Sequence, residues 1–149
     1  MTTVVEKVIL LSAVDVFTEV PSESLALVAA IAEELDLPAG HRIYGETDAS
    51  DAMYVVLDGR VRLERDGREV TTAATNEAFG TWALFDDEPR LVAAVTMEPT
   101  RVLRVGRDAF YDVLADNVEV TRGVLKALAR RLRGVLSRVG PPGGAGGGA

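Results

Sequence analysis

The chain has 149 residues, of which 48% are hydrophobic, and a formal net charge of -7. This length allows one compact domain with its own core and is too short for two domains of ordinary size. The lack of cysteine excludes disulfides and thiolate metal sites, and a single histidine leaves little from which to build an imidazole metal site or a histidine-based triad. We therefore expect a protein that is not an enzyme and holds no metal.

The charges are distributed unevenly along the chain. All 23 acidic residues lie between Glu6 and Glu119, and only basic charges follow. An acidic body argues against nucleic-acid binding, because phosphates need a basic surface. The sequence contains no apolar run of about 18 residues, and Glu6 and Lys7 interrupt its apolar start, so we expect neither a membrane span nor a signal peptide. A cytoplasmic protein is predicted.

Helical patterns open the chain. Val4 to Leu11 suits a short helix, and Ser22 is a good N-cap for a second helix from Ser24 to Leu35. The breakers Pro38-Ala39-Gly40 then mark a change of period. The segments that follow are predicted to be strands.

Short strands dominate the middle of the chain. The Asp58-Gly59 and Asp66-Gly67 pairs favour tight turns between antiparallel neighbours. Closely spaced strands with glycine turns are typical of a sandwich or jelly roll. The predicted strands are Met53 to Leu57, Val61 to Arg65, Leu91 to Met97 and Thr100 to Val105.

Helical spacing returns in Arg107 to Leu114 and in Val118 to Val139. The last helix carries apolar residues at alternating steps of three and four, the spacing of a coiled-coil seam: Leu125, Leu128, Leu132, Val135 and Val139. This seam predicts either a homodimer or packing on the domain's own barrel. The basic face of the same helix is either solvated or docks on an acidic partner, a membrane surface or nucleic acid.

The Gly- and Pro-rich segment 140–149 cannot bury a core. We expect a disordered tail or linker remnant there, after a single domain of residues 1–139. No segment resembling a DNA-reading helix-turn-helix follows the domain, so no DNA-binding domain is expected.

The segment Phe79-Gly80-Thr81-Trp82-Ala83-Leu84-Phe85, closed by Pro89-Arg90, has the features of an anion-binding loop. Gly80 allows the backbone to approach a phosphate, the next residues can open a short helix with free N–H groups, and Arg90 can supply a charge. The alternative for Arg90 is a surface ion pair with Asp86, Asp87 or Glu88.

The order of several motifs resembles the cyclic-nucleotide-binding domain family, related to bacterial catabolite-activator proteins and kinase regulatory subunits. These motifs are Val5-Glu6-Lys7-Val8, Val16-Phe17, Pro38-Ala39-Gly40, Gly45-Glu46, Asp51 to Gly59 and the loop from Phe79 to Arg90, called the cassette below. The resemblance implies an α+β fold. It would be an antiparallel β jelly-roll barrel flanked by N-terminal helices, with a C-terminal helix as lid and relay.

The resemblance also implies a site for cAMP or cGMP. Thr81 stands where the family has a glutamate that accepts from the ribose, and Leu91 stands where a serine donates to the phosphate. Val92 replaces a small alanine, and Trp82 replaces a leucine-sized residue. Losing two charged hydrogen bonds weakens binding by roughly 3–6 kcal/mol. The implied ligand-binding residues are Gly80, Thr81, Trp82, Ala83, Arg90, Leu91, Val92, Leu63, Val70 and Thr71.

Two functions are compatible with these features. The first is a regulatory sensor that binds a cyclic nucleotide or a related phosphorylated anion and relays occupancy through the last helix. The second is a ligand-free interaction domain that kept the fold and acts by dimerisation or docking of its basic helix. The substitutions at Thr81 and Leu91 favour the second, whereas Arg90 favours the first.

Overall fold

The computed structural model describes residues 2–139, which form four α-helices and two antiparallel sheets of four strands each. Short 3₁₀ helices cover Asp15–Phe17 and Thr81–Leu84, here called the N-terminal and the cassette 3₁₀ helix. The other elements are α1 (Val4–Ser12), α2 (Ser22–Ile31), β1 (Glu33–Leu37), β2 (Arg42–Tyr44), β3 (Ala52–Asp58), β4 (Val61–Arg65), β5 (Arg68–Ala73), β6 (Ala78–Phe79), β7 (Ala93–Thr96), β8 (Thr100–Gly106), α3 (Arg107–Asp116) and α4 (Val118–Val139).

The two sheets face each other as a jelly-roll barrel. Their strand orders are β1-β8-β3-β6 and β2-β7-β4-β5, and every pairing is antiparallel. One core lies between the sheets, and a second core joins the helices to the outer side of the β3 and β8 pair. The predicted α+β jelly roll with flanking helices is confirmed.

The first helix is held by its N-cap. The Thr3 side chain accepts from the Glu6 amide, and the Glu6 carboxylate accepts from the Thr3 amide. The second helix differs from the prediction, because it begins at Ser22 with Pro21 at the cap position and ends at Ile31. Residues 33–37 form β1 instead, since their backbone pairs with β8, and this long-range pairing overrides the helical pattern.

The two Asp-Gly turns connect different kinds of neighbour. Asp66-Gly67 joins the hairpin of β4 and β5 as predicted, with φ of 53° and 76°. Asp58-Gly59 does not join antiparallel neighbours, because β3 pairs with β6 and β8 while β4 belongs to the other sheet. This turn therefore carries the chain from one sheet to the other.

The last helix packs one face on the domain and leaves another open. Val120 and Val124 are buried in the helical core, and Ala127 is buried as well. Leu128 from the predicted seam is partly buried against the same core, whereas Leu125 and Leu132 are 61% and 60% exposed. Leu128 of the seam therefore packs on the helical core of its own domain, and the homodimer stays a prediction.

The predicted tail at 140–149 lies outside the described residues. Within residues 2–139, no helix combines the length and the apolar character that crossing a membrane requires.

Candidate ligand site

The cassette folds as a left-handed residue followed by one tight helical turn. Gly80 has φ of 70°, a backbone conformation that glycine adopts without steric cost. The cassette 3₁₀ helix follows, and the side chains of its own residues Ala83 and Leu84 are buried. The short helix expected after Gly80 is therefore present as a 3₁₀ turn.

The guanidinium of Arg90 lies inside the protein. Arg90 is only 8% exposed, and its Nη2 donates to the carbonyl of Ala52 at 2.7 Å. Its Nη1 makes a longer bond of 3.4 Å to the carbonyl of Gly80. Among residues 2–139, no carboxylate lies within 4.0 Å of this guanidinium, so the alternative of a surface ion pair with residues 86–88 is wrong.

The Nε–H donor of Arg90 is unused. An arginine side chain carries five N–H donors, and the buried Nε–H has no partner within the described part of the chain. Leaving a buried charged donor unsatisfied costs more than about 1–3 kcal/mol. An acceptor that reached Nε would remove this cost.

One aromatic ring, that of Tyr44, covers the same guanidinium. Its Cζ lies 3.9 Å from the centroid of the Tyr44 ring, a cation–π contact. Tyr44 lies beside Tyr54 and Phe79, which stack with centroids 5.2 Å apart. All three rings are less than 9% exposed, and burial raises the pKa of Tyr44 to about 12.

The sequence analysis places Phe79 in the cassette but does not indicate Tyr44 or Tyr54 as part of the site. The alternation in β2 indicates that Tyr44 points inward, but no sequence spacing relates Tyr44 to Arg90. The β2–β7 pairing places β2 alongside the strand that begins three residues after Arg90.

The remaining predicted site residues lie in different environments. Leu63 is half-buried and packs against the core between the sheets, and its partner across the strands, Thr71, is exposed. Val70 and Leu91 are 59% and 75% exposed. Thr81 and Val92 are half-buried. The structure therefore brings Gly80 and Arg90 together, while Leu91 faces mostly solvent.

Trp82 connects the cassette to α4. Its indole is 48% exposed and meets Phe85 edge-on. The Cζ of Arg131 lies 4.9 Å from the centroid of an indole ring, and the same guanidinium pairs with the carboxylate of Asp15 at 2.7 Å. A cavity of about 450 Å³ is bordered by Trp82, Arg131 and the N-terminal 3₁₀ helix.

The charged side chains do not form a metal centre. Within residues 2–139, no three histidine, aspartate or glutamate side chains lie close enough to hold a metal ion.

Comparison with known proteins identifies the family. Residues 34–117 match the family model of the cyclic nucleotide-binding domain. The chain is 32% identical over 129 residues to a CRP-like cAMP-activated global transcriptional regulator of Mycobacterium tuberculosis, covering 83% of this chain and 58% of the relative. It is 34% identical over 99 residues to a cAMP-dependent protein kinase regulatory subunit of Aspergillus niger, covering 63% of this chain and 24% of the relative.

A solved structure of similar fold supports the same assignment. The N-terminal domain of a transcriptional regulator from Streptomyces coelicolor superposes with a TM-score of 0.80 and 30% identity, covering 87% of this chain and 94% of that one. The present chain spans less than two thirds of each of the two longer relatives. The chain belongs to the cyclic nucleotide-binding domain family.

Proposed function

We propose that this domain is a non-catalytic, cytoplasmic regulatory module that binds cAMP or cGMP, with Arg90 neutralising the cyclic phosphate. The observation that carries the proposal is the buried guanidinium with an unpartnered Nε–H, beside Gly80 in the described part of the chain. A cyclic phosphodiester bears one negative charge, which matches the single positive charge of Arg90. A buried ion pair of this kind is favourable only when its hydrogen bonds are completed.

Binding should be weaker than in a site that has the serine and the glutamate of the family, because Leu91 and Thr81 stand at those positions. The side chain of Leu91 is mostly exposed and carries no hydrogen-bond donor, so it cannot replace a serine hydroxyl. The hydroxyl of Thr81 is short and uncharged. The ligand therefore depends on Arg90, on backbone N–H groups of the cassette and on packing against the barrel.

Binding requires a local rearrangement. Tyr44 covers one face of the guanidinium, and the carbonyl of Gly80 accepts a long bond from Nη1. An incoming phosphate would compete for both contacts, so the cassette must shift. Since Trp82 contacts Arg131, such a shift would be passed to α4. On this proposal, cAMP changes the emission of Trp82 in the wild-type protein, and Arg131→Gln reduces that change.

A ligand-free interaction domain is the second candidate. The buried aromatic cluster next to Arg90 favours it, because these rings fill barrel space that a nucleotide would need. The exposed apolar residues of α4 favour it as well, since they offer a surface for a second copy.

Titration calorimetry with cAMP and with cGMP separates the two functions. We expect binding by the wild-type protein that is abolished in Arg90→Ala and partly kept in Arg90→Lys. Arg60→Ala is the matched control, because Arg60 is exposed and pairs only with Glu98 among the described residues. If neither cAMP nor cGMP gives a heat of binding up to millimolar concentration, the sensor function is contradicted and the ligand-free interaction domain is favoured.

A further inference from the structure

A second arginine lies behind the cassette, at the first residue of α3. The Nη1 of Arg107 donates to the carbonyl of Asp86 at 2.7 Å and to the carbonyl of Ser50 at 2.8 Å. The carbonyl of Ala83 lies 3.3 Å from the same nitrogen. One side chain thus joins the cassette to the segment that precedes β3.

Helix stability does not account for a positive charge at this position. The first turn of a helix is the positive end of its dipole and favours acidic side chains over basic ones. Among residues 2–139, no carboxylate lies within 4.0 Å of the Arg107 guanidinium, so an ion pair does not explain it either. The contacts of Arg107 are to backbone carbonyls of the cassette and of its neighbour.

Other hydrogen bonds join the same segments. The Arg107 amide donates to the carbonyl of Asp51 at 2.8 Å. The hydroxyl of Ser50, a residue that is 5% exposed, donates to the carbonyl of Glu88 at 2.6 Å. The Arg90 amide donates to the carbonyl of Asp48 at 2.9 Å. Residues 48–51 and 83–90 therefore form one hydrogen-bonded unit around Arg107.

This unit borders both carbonyls that hold Arg90. Ala52, whose carbonyl accepts from Nη2 of Arg90, follows directly after the segment that Arg107 binds. Gly80, whose carbonyl accepts from Nη1, begins the turn that contains Ala83. A change at Arg107 would therefore alter the positions of both acceptors.

We infer that Arg107 is a positioning residue of the ligand site, which holds the guanidinium of Arg90 in place through the carbonyls of Ala52 and Gly80. The effect of Arg107 on ligand binding rests on the proposed function, because Arg90 is the residue proposed to contact the phosphate. Its structural part, the placement of Arg90, is measurable without any nucleotide.

The test uses Arg107→Gln and Arg107→Lys, with Arg101→Gln as a control at an exposed arginine that pairs with Asp36. In the free protein, we expect Arg107→Gln to accelerate amide hydrogen exchange of residues 80–90 at least tenfold, while exchange in α1 is unchanged. The Nε–H resonance of Arg90 should shift or broaden. Arg107→Lys should restore both readouts in part, because an ammonium carries three N–H donors. Arg101→Gln should change neither.

The affinity for cAMP gives the second readout. If the wild-type protein binds, Arg107→Gln should weaken binding about tenfold and Arg107→Lys should recover most of it. Unchanged exchange in the cassette, or uniformly faster exchange throughout the domain, would overturn the inference. The inference would also be overturned if Arg107→Gln bound cAMP with unchanged affinity although its cassette exchanged faster. If the wild-type protein binds neither cAMP nor cGMP, the proposed function fails, and the Nε–H resonance still decides whether Arg107 positions Arg90.

Discussion

Gly80 and Arg90 meet so closely that no side chain fits between them. A Cβ built on Gly80 would lie 2.7 Å from Nη1 of Arg90 and 3.3 Å from the hydroxyl of Tyr44. A side chain at position 80 would therefore have to displace the buried guanidinium in addition to adopting the left-handed backbone angle.

Gly80→Ala should accordingly destabilise the domain and move Arg90. The left-handed backbone costs an alanine about 1–2 kcal/mol, and the close contact adds about 1–3 kcal/mol. Gly40→Ala is the control, since Gly40 has φ of 73° and no described atom within 4 Å of the point that a Cβ would occupy. Denaturant unfolding of the two variants gives the difference. Equal losses would show that the contact with Arg90 contributes nothing.

Tyr44→Phe should remove an alkaline transition. Burial raises the pKa of Tyr44 to about 12, whereas an unfolded tyrosine titrates near about 10. Between these values the unfolded chain releases the proton first, so stability falls as the pH rises from about 10 to about 12. Tyrosinate absorbance should show the late step in the wild-type protein and in Tyr111→Phe, but not in Tyr44→Phe. Its persistence in Tyr44→Phe would assign it to another group.

Leu132→Glu should dissociate a homodimer if the open face of α4 mediates one. Leu125, Leu132 and Leu136 are 61%, 60% and 51% exposed, and they lie on one face of the helix. Leu128 is a poorer test position, because it also packs against the domain core. Sedimentation velocity should give a dimer for the wild type and a monomer for Leu132→Glu.

Ser137→Glu is the matched control for that experiment. Ser137 is exposed and lies about 100° around the helix from Leu136, so its variant should remain dimeric. A monomeric wild-type protein would contradict the proposed interface, as would a Leu132→Glu variant that still dimerises.

Two glycines of α4 should respond in opposite ways to alanine. A Cβ on Gly123 would lie 2.8 Å from the carbonyl oxygen of Glu19 and from Cα of Val20, whereas no described atom lies within 4 Å at Gly134. Gly123→Ala should destabilise by about 1–3 kcal/mol through overpacking. Gly134→Ala should stabilise by up to about 1 kcal/mol through helix propensity. Thermal unfolding of both variants checks the prediction. If both variants were stabilised equally, α4 would not pack against Glu19 and Val20 at Gly123.

The fold was largely predictable because its signals are local. The spacing in Val118 to Val139 predicts α4 with its observed bounds, and the Asp66-Gly67 pair predicts the β4–β5 hairpin. The strand β1 was not predictable, because residues 33–35 continue a helical pattern and become a strand only by pairing with β8. Long-range pairing of this kind has no local signature.

The sequence indicates the charged residue of the candidate site, Arg90, but not the residues that surround it in the structure. The cassette motif indicates Gly80 and Arg90 directly, since both belong to one short segment. The contact of Tyr44 with Arg90, and the bonds of Arg107 to Ser50 and Asp86, join residues that are far apart in sequence. Only the sheet register and the start of α3 bring them together.

The position of β8 between β1 and β3 affects the order in which the protein can fold during its synthesis on the ribosome. Because β8 lies between β1 and β3, the first of these strands has no neighbour in its sheet until residues 100–106 have been synthesised. Until then the backbone groups of β1 and of most of β3 hydrogen-bond to water rather than to a neighbouring strand, while β4 and β5 can pair as soon as both have been synthesised. Vectorial synthesis should thus complete this hairpin well before the sheet that contains β1.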